Sequence, residues 1–538
     1  MNLRHTAEIL RSVRILAERG IIHPRRFGAD LQAAKIAGRC GPFPAMISYM
    51  VRYHPDRTAL VDDRGELSFG ALDRQSNALA RGLAADGIGP GQTVGVLCRE
   101  HRGLITALIA TGKLGLRLVI LNTGFAGPQL RDVAAREQVT VLFHDDEFAE
   151  AATALPEGVR RVRTRADDPR ASGRSVDELI AGQPTHPLPL PDEFAGLVLL
   201  TSGTTGTPKG AARKRISPLQ SAQLLDRFPI TGGGATVIAA PLFHATGLGQ
   251  FTFAMSLGKT AVFGHGRFDA EATLAAVARH RADTLAVVPT MLGRILDLGP
   301  EVLARYDISC LKIIASGGSA ISPGLCERTA AAFGDVLYNN YGATEVAAVS
   351  MATPQELRRA PGTVGRPPVG VRVALFDGDG EPITEPDRPG SIYVANSLSF
   401  SGYTDGQDKH RRDGMVCTGD IGHFDATGLL FVDGRSDDMI VSGGENVYPA
   451  EVENLLADRS DIADAAVVGV TDPDFGQRLR AFVVPQPGVE LDPDEIRRHV
   501  KSQLARYKVP RDVIILAEIP RNGSGKIVRR RLAELPIP

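Results

Sequence analysis

The stretch Leu199-Leu200-Thr201-Ser202-Gly203-Thr204-Thr205-Gly206-Thr207-Pro208-Lys209-Gly210 carries the densest chemistry in the chain. An apolar run, Leu197 to Leu200, reads as a buried strand leading straight into it. Gly203 and Gly206 let the backbone turn tightly. The hydroxyls of Thr201, Ser202, Thr204 and Thr205, with the loop's amide N–H groups, can then face an anion. Lys209 adds a compact positive charge suited to phosphate. This is a phosphate-holding loop, but Pro208-Lys209-Gly210 stands where a Walker A loop requires G-K-[ST]. A P-loop NTPase is therefore disfavoured, and a Gly/Thr-rich surface loop without ligand is the bland alternative.

Six further stretches carry groups of the same kind. Pro241-Leu242-Phe243-His244-Ala245-Thr246-Gly247 ends a strand with an aromatic ring, an imidazole and a glycine. Ser316-Gly317-Gly318-Ser319 follows another strand. Asn340-Tyr341-Gly342-Ala343-Thr344-Glu345 offers a ring, a hydroxyl and a carboxylate together. Thr418-Gly419-Asp420 places a carboxylate in a tight turn, where Asp is also a common turn former. Gly434-Arg435-Ser436-Asp437-Asp438 runs on to Ser442-Gly443-Gly444-Glu445, and Arg521-Asn522-Gly523-Ser524-Gly525-Lys526 sets a lysine in a Gly-rich loop. Only ten of the 61 basic residues are Lys, so a Lys kept in such a loop points to a site that needs an ammonium.

The elements that position these groups follow from hydrophobic patterning. Residues 93–97 and 118–121 read as strands around a helix at 103–114, which is βαβ punctuation and predicts a mostly parallel sheet. Further strands are expected at 237–240, 261–263, 285–288 and 312–315. After residue 365, Asp-Gly and Pro-Gly turns separate short strands, which predicts a small barrel-like subdomain over about 365–433. A last α+β unit follows, with strands at 465–470 and 480–484 and Asp492 as N-cap before Pro493. The fold class is thus α/β: a large domain of mostly parallel sheets flanked by helices over 45–436, and a smaller mobile α+β domain over 437–538.

Composition narrows the partners. A net charge of -1 gives no field for nucleic acid. Five scattered cysteines without CxxC spacing read as reduced thiols of a cytoplasmic protein. No signal peptide is expected, because Arg4, Arg11, Arg14 and Arg19 interrupt the first apolar residues, and no membrane span, because the best candidate, Leu104 to Leu121, contains Lys113 and Arg117. Residues 1–44 form a basic segment, with eight Arg or Lys against three acidic residues in the first 40. It reads as a helical segment packed on the main domain, the alternative being an interfacial helix at the inner face of a membrane.

Taken together and in this order, the seven stretches resemble the adenylate-forming superfamily, which includes acyl-CoA synthetases, over about residues 45–535. The resemblance implies that ATP and Mg²⁺ activate a carboxylic acid to an acyl-adenylate, with pyrophosphate leaving, and that CoA then takes the acyl group. Thr201, Ser202, Gly203, Thr204, Thr205, Gly206 and Lys209 would hold the β- and γ-phosphates. Gly317, Gly318 and Ser319 would line the adenine slot, Tyr341 would stack on the base, Asn340, Gly342 and Ala343 would continue that wall, and Thr344 would lie near the phosphates. Glu345 and Thr204 would serve as Mg²⁺ ligands, Asp420 and Arg435 would hold the ribose, and Lys526 would bridge the reacting carboxylate and the α-phosphate. Asp437 falls at the hinge, about which the last domain would rotate to present Ser442, Gly443 and Gly444 to the arm of CoA. Lys526, Glu345, Thr204 and Lys209 would be the catalytic groups.

The acid itself is read from Phe243, His244 and Gly247 at the acyl pocket. That segment has no Asp to pair an α-amine, which disfavours an amino acid. The chain has no Trp, so a tryptophan gate is excluded. The uncharged lining points to a medium- or long-chain fatty acid, with an aromatic or sterol-derived acid as alternative. No carrier domain is read after the last unit, which favours free CoA over transfer to a carrier protein.

Overall fold

The structure is a computed structural model that describes residues 3–22, 27–165, 173–200, 209–213, 221–442, 445–472, 476–522 and 525–535. Two large sheets build the first two-thirds of the chain. One has seven strands in the order 174–175, 160–163, 139–144, 93–97, 117–120, 197–200 and 210–213, parallel except for the last pair. The other has eight, with a parallel centre (Ile313–Gly317, Thr284–Val287, Ala235–Ile238, Thr260–Phe263) and an antiparallel pair at each end. The central strands are buried on both faces, as Val94, Val96, Leu285 and Ile314 show, so they read as unbroken apolar runs.

The helix Arg102–Lys113 is buried along nearly its whole length in the main core, which explains its apolar character on every face. The strands expected in the large domain fall within two residues of their observed limits, whereas the two expected at 465–470 and 480–484 run longer, as Ile462–Asp472 and Gly476–Pro485.

A six-stranded antiparallel sheet follows, its longest strand Met415–Phe424 paired with both Gly390–Ala395 and Leu430–Arg435. Past residues 436–439 a separate sheet begins at Ile440–Ser442, centred on the long pair Ile462–Asp472 and Gly476–Pro485. Its core of Val452, Leu456, Val467, Ala481, Ile496 and Val500 is its own. Asp492 caps the helix Pro493–Gln503 through the Asp494 N–H.

The basic helix Leu3–Glu18 lies on the large domain. Ile15 and Leu16 are buried with Leu225 and Phe228, and Arg11 stands 3.2 Å from Asp226. Among the described residues no helix is long and apolar enough to cross a membrane.

Candidate active site

Strand register, rather than sequence proximity, assembles the first half of the site. Ile313–Gly317 and Leu337–Tyr341 lie side by side, with Gly317 opposite Asn340. A Cβ on Gly317 would come within 2.6 Å of the Asn340 carbonyl oxygen, so the close approach demands glycine there. Tyr341, at the end of the second strand, donates its hydroxyl to Asp420 Oδ2 at 2.5 Å. Asp420 in turn sits opposite Arg435 in the antiparallel pair Met415–Phe424 and Leu430–Arg435. Arg435 Nη1 lies 3.3 Å from Asp420 Oδ1, and its Nε donates to Asp437 Oδ1 at 2.8 Å. Thr418-Gly419-Asp420 lies within the strand Met415–Phe424 rather than in a tight turn, and Thr418 Oγ1 accepts the Asp420 N–H at 3.1 Å.

These groups perturb one another as a buried cluster must. Burial raises the Tyr341 phenol well above its ordinary value, and the Asp420 charge adds to this, so it stays a donor. Burial also raises the Asp420 carboxyl, against the pull of Tyr341 and Arg435. Burial opposes the charge on Arg435, but Asp437 and Asp420 outweigh it and hold the guanidinium firmly protonated.

Lys526 comes from the other domain. Its loop is closed on itself: the Lys526 N–H donates to Asn522 Oδ1 at 3.0 Å, and the Asn522 N–H to the Lys526 carbonyl at 2.8 Å. Arg521 fastens it from behind, 2.7 Å from Asp464 and donating to the Gly525 carbonyl at 2.7 Å. Burial lowers the affinity of the Lys526 ammonium for its proton, while the charges of Asp420 and Glu345 act to restore it. An ammonium held against desolvation by two carboxylates is a group placed to meet further negative charge.

Glu345 is buried and accepts a hydrogen bond from the Tyr403 hydroxyl. Lys209 Nζ lies 2.5 Å from Gln407 Oε1 and 5.1 Å above the Tyr403 ring. Gly318, Ser319, Gly342, Ala343 and Thr344 join Lys209, Asn340, Tyr341, Glu345, Asp420, Arg435, Asp437 and Lys526 around one cleft of about 2450 Å³ between the domains. Thr201, Ser202, Gly203, Thr204, Thr205 and Gly206 lie outside the described residues, as do Gly443 and Gly444. The phosphate loop is thus placed only by its flanks, Leu197–Leu200 and Gly210–Arg213, an antiparallel pair with Leu200 opposite Gly210.

The cleft wall passes through Val288, Gly318 and Tyr341 rather than through the proposed acyl-pocket residues. Phe243 is packed in the main core, and Gly247 is buried in the first turns of the helix Ala245–Ser256. The His244 and Phe243 ring centroids lie 4.4 Å apart, with the rings tilted by 54°. Burial, helped by the Lys526 charge, pushes the His244 pKa down to about 3, so it is neutral, and its buried Nε2 has no hydrogen-bond partner among the described residues. Ser442 pairs with Glu445 and Gly476 in the C-terminal sheet, away from the cleft that holds Lys526. Tyr403, Gln407 and Lys409, which belong to the cleft or touch its charges, escape the motif reading. Their only signal in the sequence is a tyrosine and polar residues in a loop before Thr418-Gly419-Asp420.

Two family models and several relatives match the chain. Residues 49–404 match the AMP-binding enzyme model, and residues 451–526 match the AMP-binding enzyme C-terminal domain. The chain is 32% identical over 491 residues to the indoleacetate–CoA ligase of Aromatoleum aromaticum, covering 89% of this chain and 95% of that protein. It is 34% identical over 489 residues to a feruloyl-CoA synthase of an Amycolatopsis species, covering 89% and 97%. Among solved structures it resembles o-succinylbenzoate CoA synthetase from Bacillus subtilis in complex with its acyl-adenylate intermediate. The TM-score is 0.78 at 26% identity, over 91% of this chain and 98% of that one.

Proposed function

This chain belongs to the AMP-binding enzyme family and is an AMP-forming acid–thiol ligase, and we propose that it makes acyl-CoA from an apolar carboxylic acid in two steps. In the first, a carboxylate oxygen attacks the α-phosphorus of ATP, and the bond to pyrophosphate breaks. In the second, the sulfur of CoA attacks the acyl carbon, its proton is lost, and AMP leaves. The observation that carries this reading is Lys526, delivered by the C-terminal domain into a cleft beside Asp420 and Glu345.

The roles follow from charge and position. Tyr341 and the glycine wall take the base, and Asp420 accepts from the ribose hydroxyls while Arg435 holds that carboxylate in place. Lys526 meets the carboxylate and the α-phosphate together, where negative charge accumulates as they react. Lys209 and Glu345 mark the phosphate end. Among the described residues no group of three His, Cys, Asp or Glu could hold a metal on its own. A single carboxylate such as Glu345 fits Mg²⁺, which takes one or two carboxylates and draws its other ligands from phosphates and water. When bound, that ion would neutralise phosphate charge. Rotation at Asp437 would withdraw Lys526 and bring Ser442, Gly443 and Gly444 toward the thiol.

For the acid, aromatic substrates stand ahead of medium- and long-chain fatty acids. The relatives above are named for indoleacetate and ferulate, and the buried, neutral His244 beside Phe243 adds no charge to the nearby wall. The fatty-acid reading rests on the apolar segment and on a relative, 31% identical over 513 residues, named as a fatty acid–acyl-carrier-protein ligase.

The test is pyrophosphate release from Mg-ATP across aryl-acetic and cinnamic acids, C2 to C20 fatty acids and sterol-derived acids, with and without CoA. CoA-dependent turnover confined to aryl acids supports the substrate class. A preference for long alkyl chains reverses the order. Acyl-AMP accumulating without thioester would replace CoA with a carrier protein.

A further inference from the structure

The turn at residues 403–407 touches both charges that the reading above places at the phosphate end. The Phe400 N–H donates to the Glu345 carbonyl at 2.7 Å, and the Thr404 N–H to the Gly210 carbonyl at 2.9 Å. The turn is therefore tied both to the strand that follows the phosphate loop and to the segment carrying Glu345. It is also closed internally, with the Tyr403 N–H donating to the Gln407 carbonyl at 3.0 Å and the Gly406 N–H to the Tyr403 carbonyl at 3.1 Å.

Within it, one side chain has two contacts of different chemistry. The Tyr403 hydroxyl donates to Glu345 Oε1, and the face of the same ring lies 5.1 Å below the Lys209 ammonium. Gln407, at the other end of the turn, takes that ammonium at 2.5 Å. The ring is itself braced edge-on by Phe400, at 4.9 Å and 71°. A phenol hydrogen-bonded to a carboxylate fixes that group's rotamer, and a ring beneath an ammonium limits the travel of a long flexible side chain.

We infer that Tyr403 is a positioning residue for the triphosphate, setting the distance between the Glu345 carboxylate and the Lys209 ammonium before the nucleotide arrives. The inference rests on the proposed role of those two residues. Tyr403 touches neither phosphate nor metal in this account; it acts through its two neighbours.

The experiment uses the full chain with Y403F, which keeps the ring and removes the hydroxyl, and Y403L, which removes both. Calorimetric Kd values for ATP with and without Mg²⁺ are measured beside KM for ATP, KM for the acid, and the melting temperature. Y403F is expected to weaken ATP binding about tenfold in the presence of Mg²⁺, the effect of losing one hydrogen bond to a charged group. Binding without Mg²⁺ and KM for the acid should not change. Y403L is expected to add a further loss of about threefold in both conditions through Lys209. In an E345A background, which removes the acceptor of the Tyr403 hydroxyl, Y403F should have no further effect.

Additive losses in that background, or equal rises in KM for ATP and acid with a falling melting temperature, would make Tyr403 a purely structural residue. Unchanged ATP binding in Y403F would do the same. If E345A and K209A themselves leave ATP binding intact, the reading of the cleft falls, and this inference falls with it.

Discussion

The two sides of the cleft are held by unlike means. On the large-domain side, Tyr341 and Arg435 end their strands, Asp420 lies within Met415–Phe424, and the three bond to one another, so each is anchored in a sheet. On the other side, Lys526 is tied to Asn522 within its own domain and reaches the cleft from there. Gly525 lies against Thr290, and Asp458 lies over the Gly324 N–H at the start of the helix Pro323–Phe333. Burial raises the Asp458 carboxyl, against the pull of that N–H. The difference fits a division of labour in which the nucleotide site is permanent and the catalytic charge is delivered and withdrawn.

The strongest way to break this comparison is Lys526→Ala. Acyl-AMP formation should fall on the order of 10²–10³-fold, as for loss of one preorganised charge at a reacting centre. Thioester formation from acyl-AMP supplied in solution should keep its rate. Both half-reactions are read by rapid quench, and an equal loss in the two would mean that Lys526 serves a fixed site rather than one of two orientations.

How much of this could be read beforehand depends on the range of the forces involved. Local signals served well: the strand at Thr93–Leu97, the Asp492 cap and the antiparallel sheet after residue 365 follow from periodicity, capping and turn chemistry over a few residues. The pairing of Asp420 with Arg435 was legible only as two separate stretches, because the register that joins them is a property of the hairpin. Tyr403 was not legible as a partner of Glu345, since that contact depends on how the antiparallel sheet packs against the end of Leu337–Tyr341. Phe243 shows the converse. An aromatic residue at a strand-to-helix junction looks the same in sequence whether it faces a ligand or, as here, the main core.

A smaller effect is expected where the Lys526 loop meets the large domain. Gly525 has φ +77° and a Cβ there would stand 2.8 Å from Thr290 Oγ1. Gly525→Ala therefore carries two penalties. The left-handed backbone costs roughly 1–2 kcal/mol in any orientation, whereas the clash with Thr290 exists only when Lys526 is in the cleft. Adenylation should slow about tenfold, with thioester formation much less affected, since one clash of that size is about 1.4 kcal/mol. Adding Thr290→Ala removes the obstructing oxygen and should recover part of the loss. No recovery would place the whole cost in the backbone and leave the seating of the loop untested by this residue, so the paired measurement is what sharpens the contrast.

The least effect is expected from Arg521→Ala, which leaves both the cleft and the domain contact in place and loosens only the support of the lysine. Arg521 holds Asp464 at 2.7 Å and the Gly525 carbonyl at 2.7 Å, partly screened by solvent. Its loss removes a hydrogen bond to the peptide next to Lys526, worth about 1 kcal/mol, so adenylation should fall about fivefold. The large-domain side predicts a different pattern: Arg435→Ala removes the partner of a buried carboxylate that would bind the ribose. It should therefore raise KM for ATP, whereas Arg521→Ala should lower the rate of adenylation and leave that KM alone. If the two arginines gave the same profile, the permanent and the delivered halves of the site would be one rigid unit, and the division drawn between them would not hold.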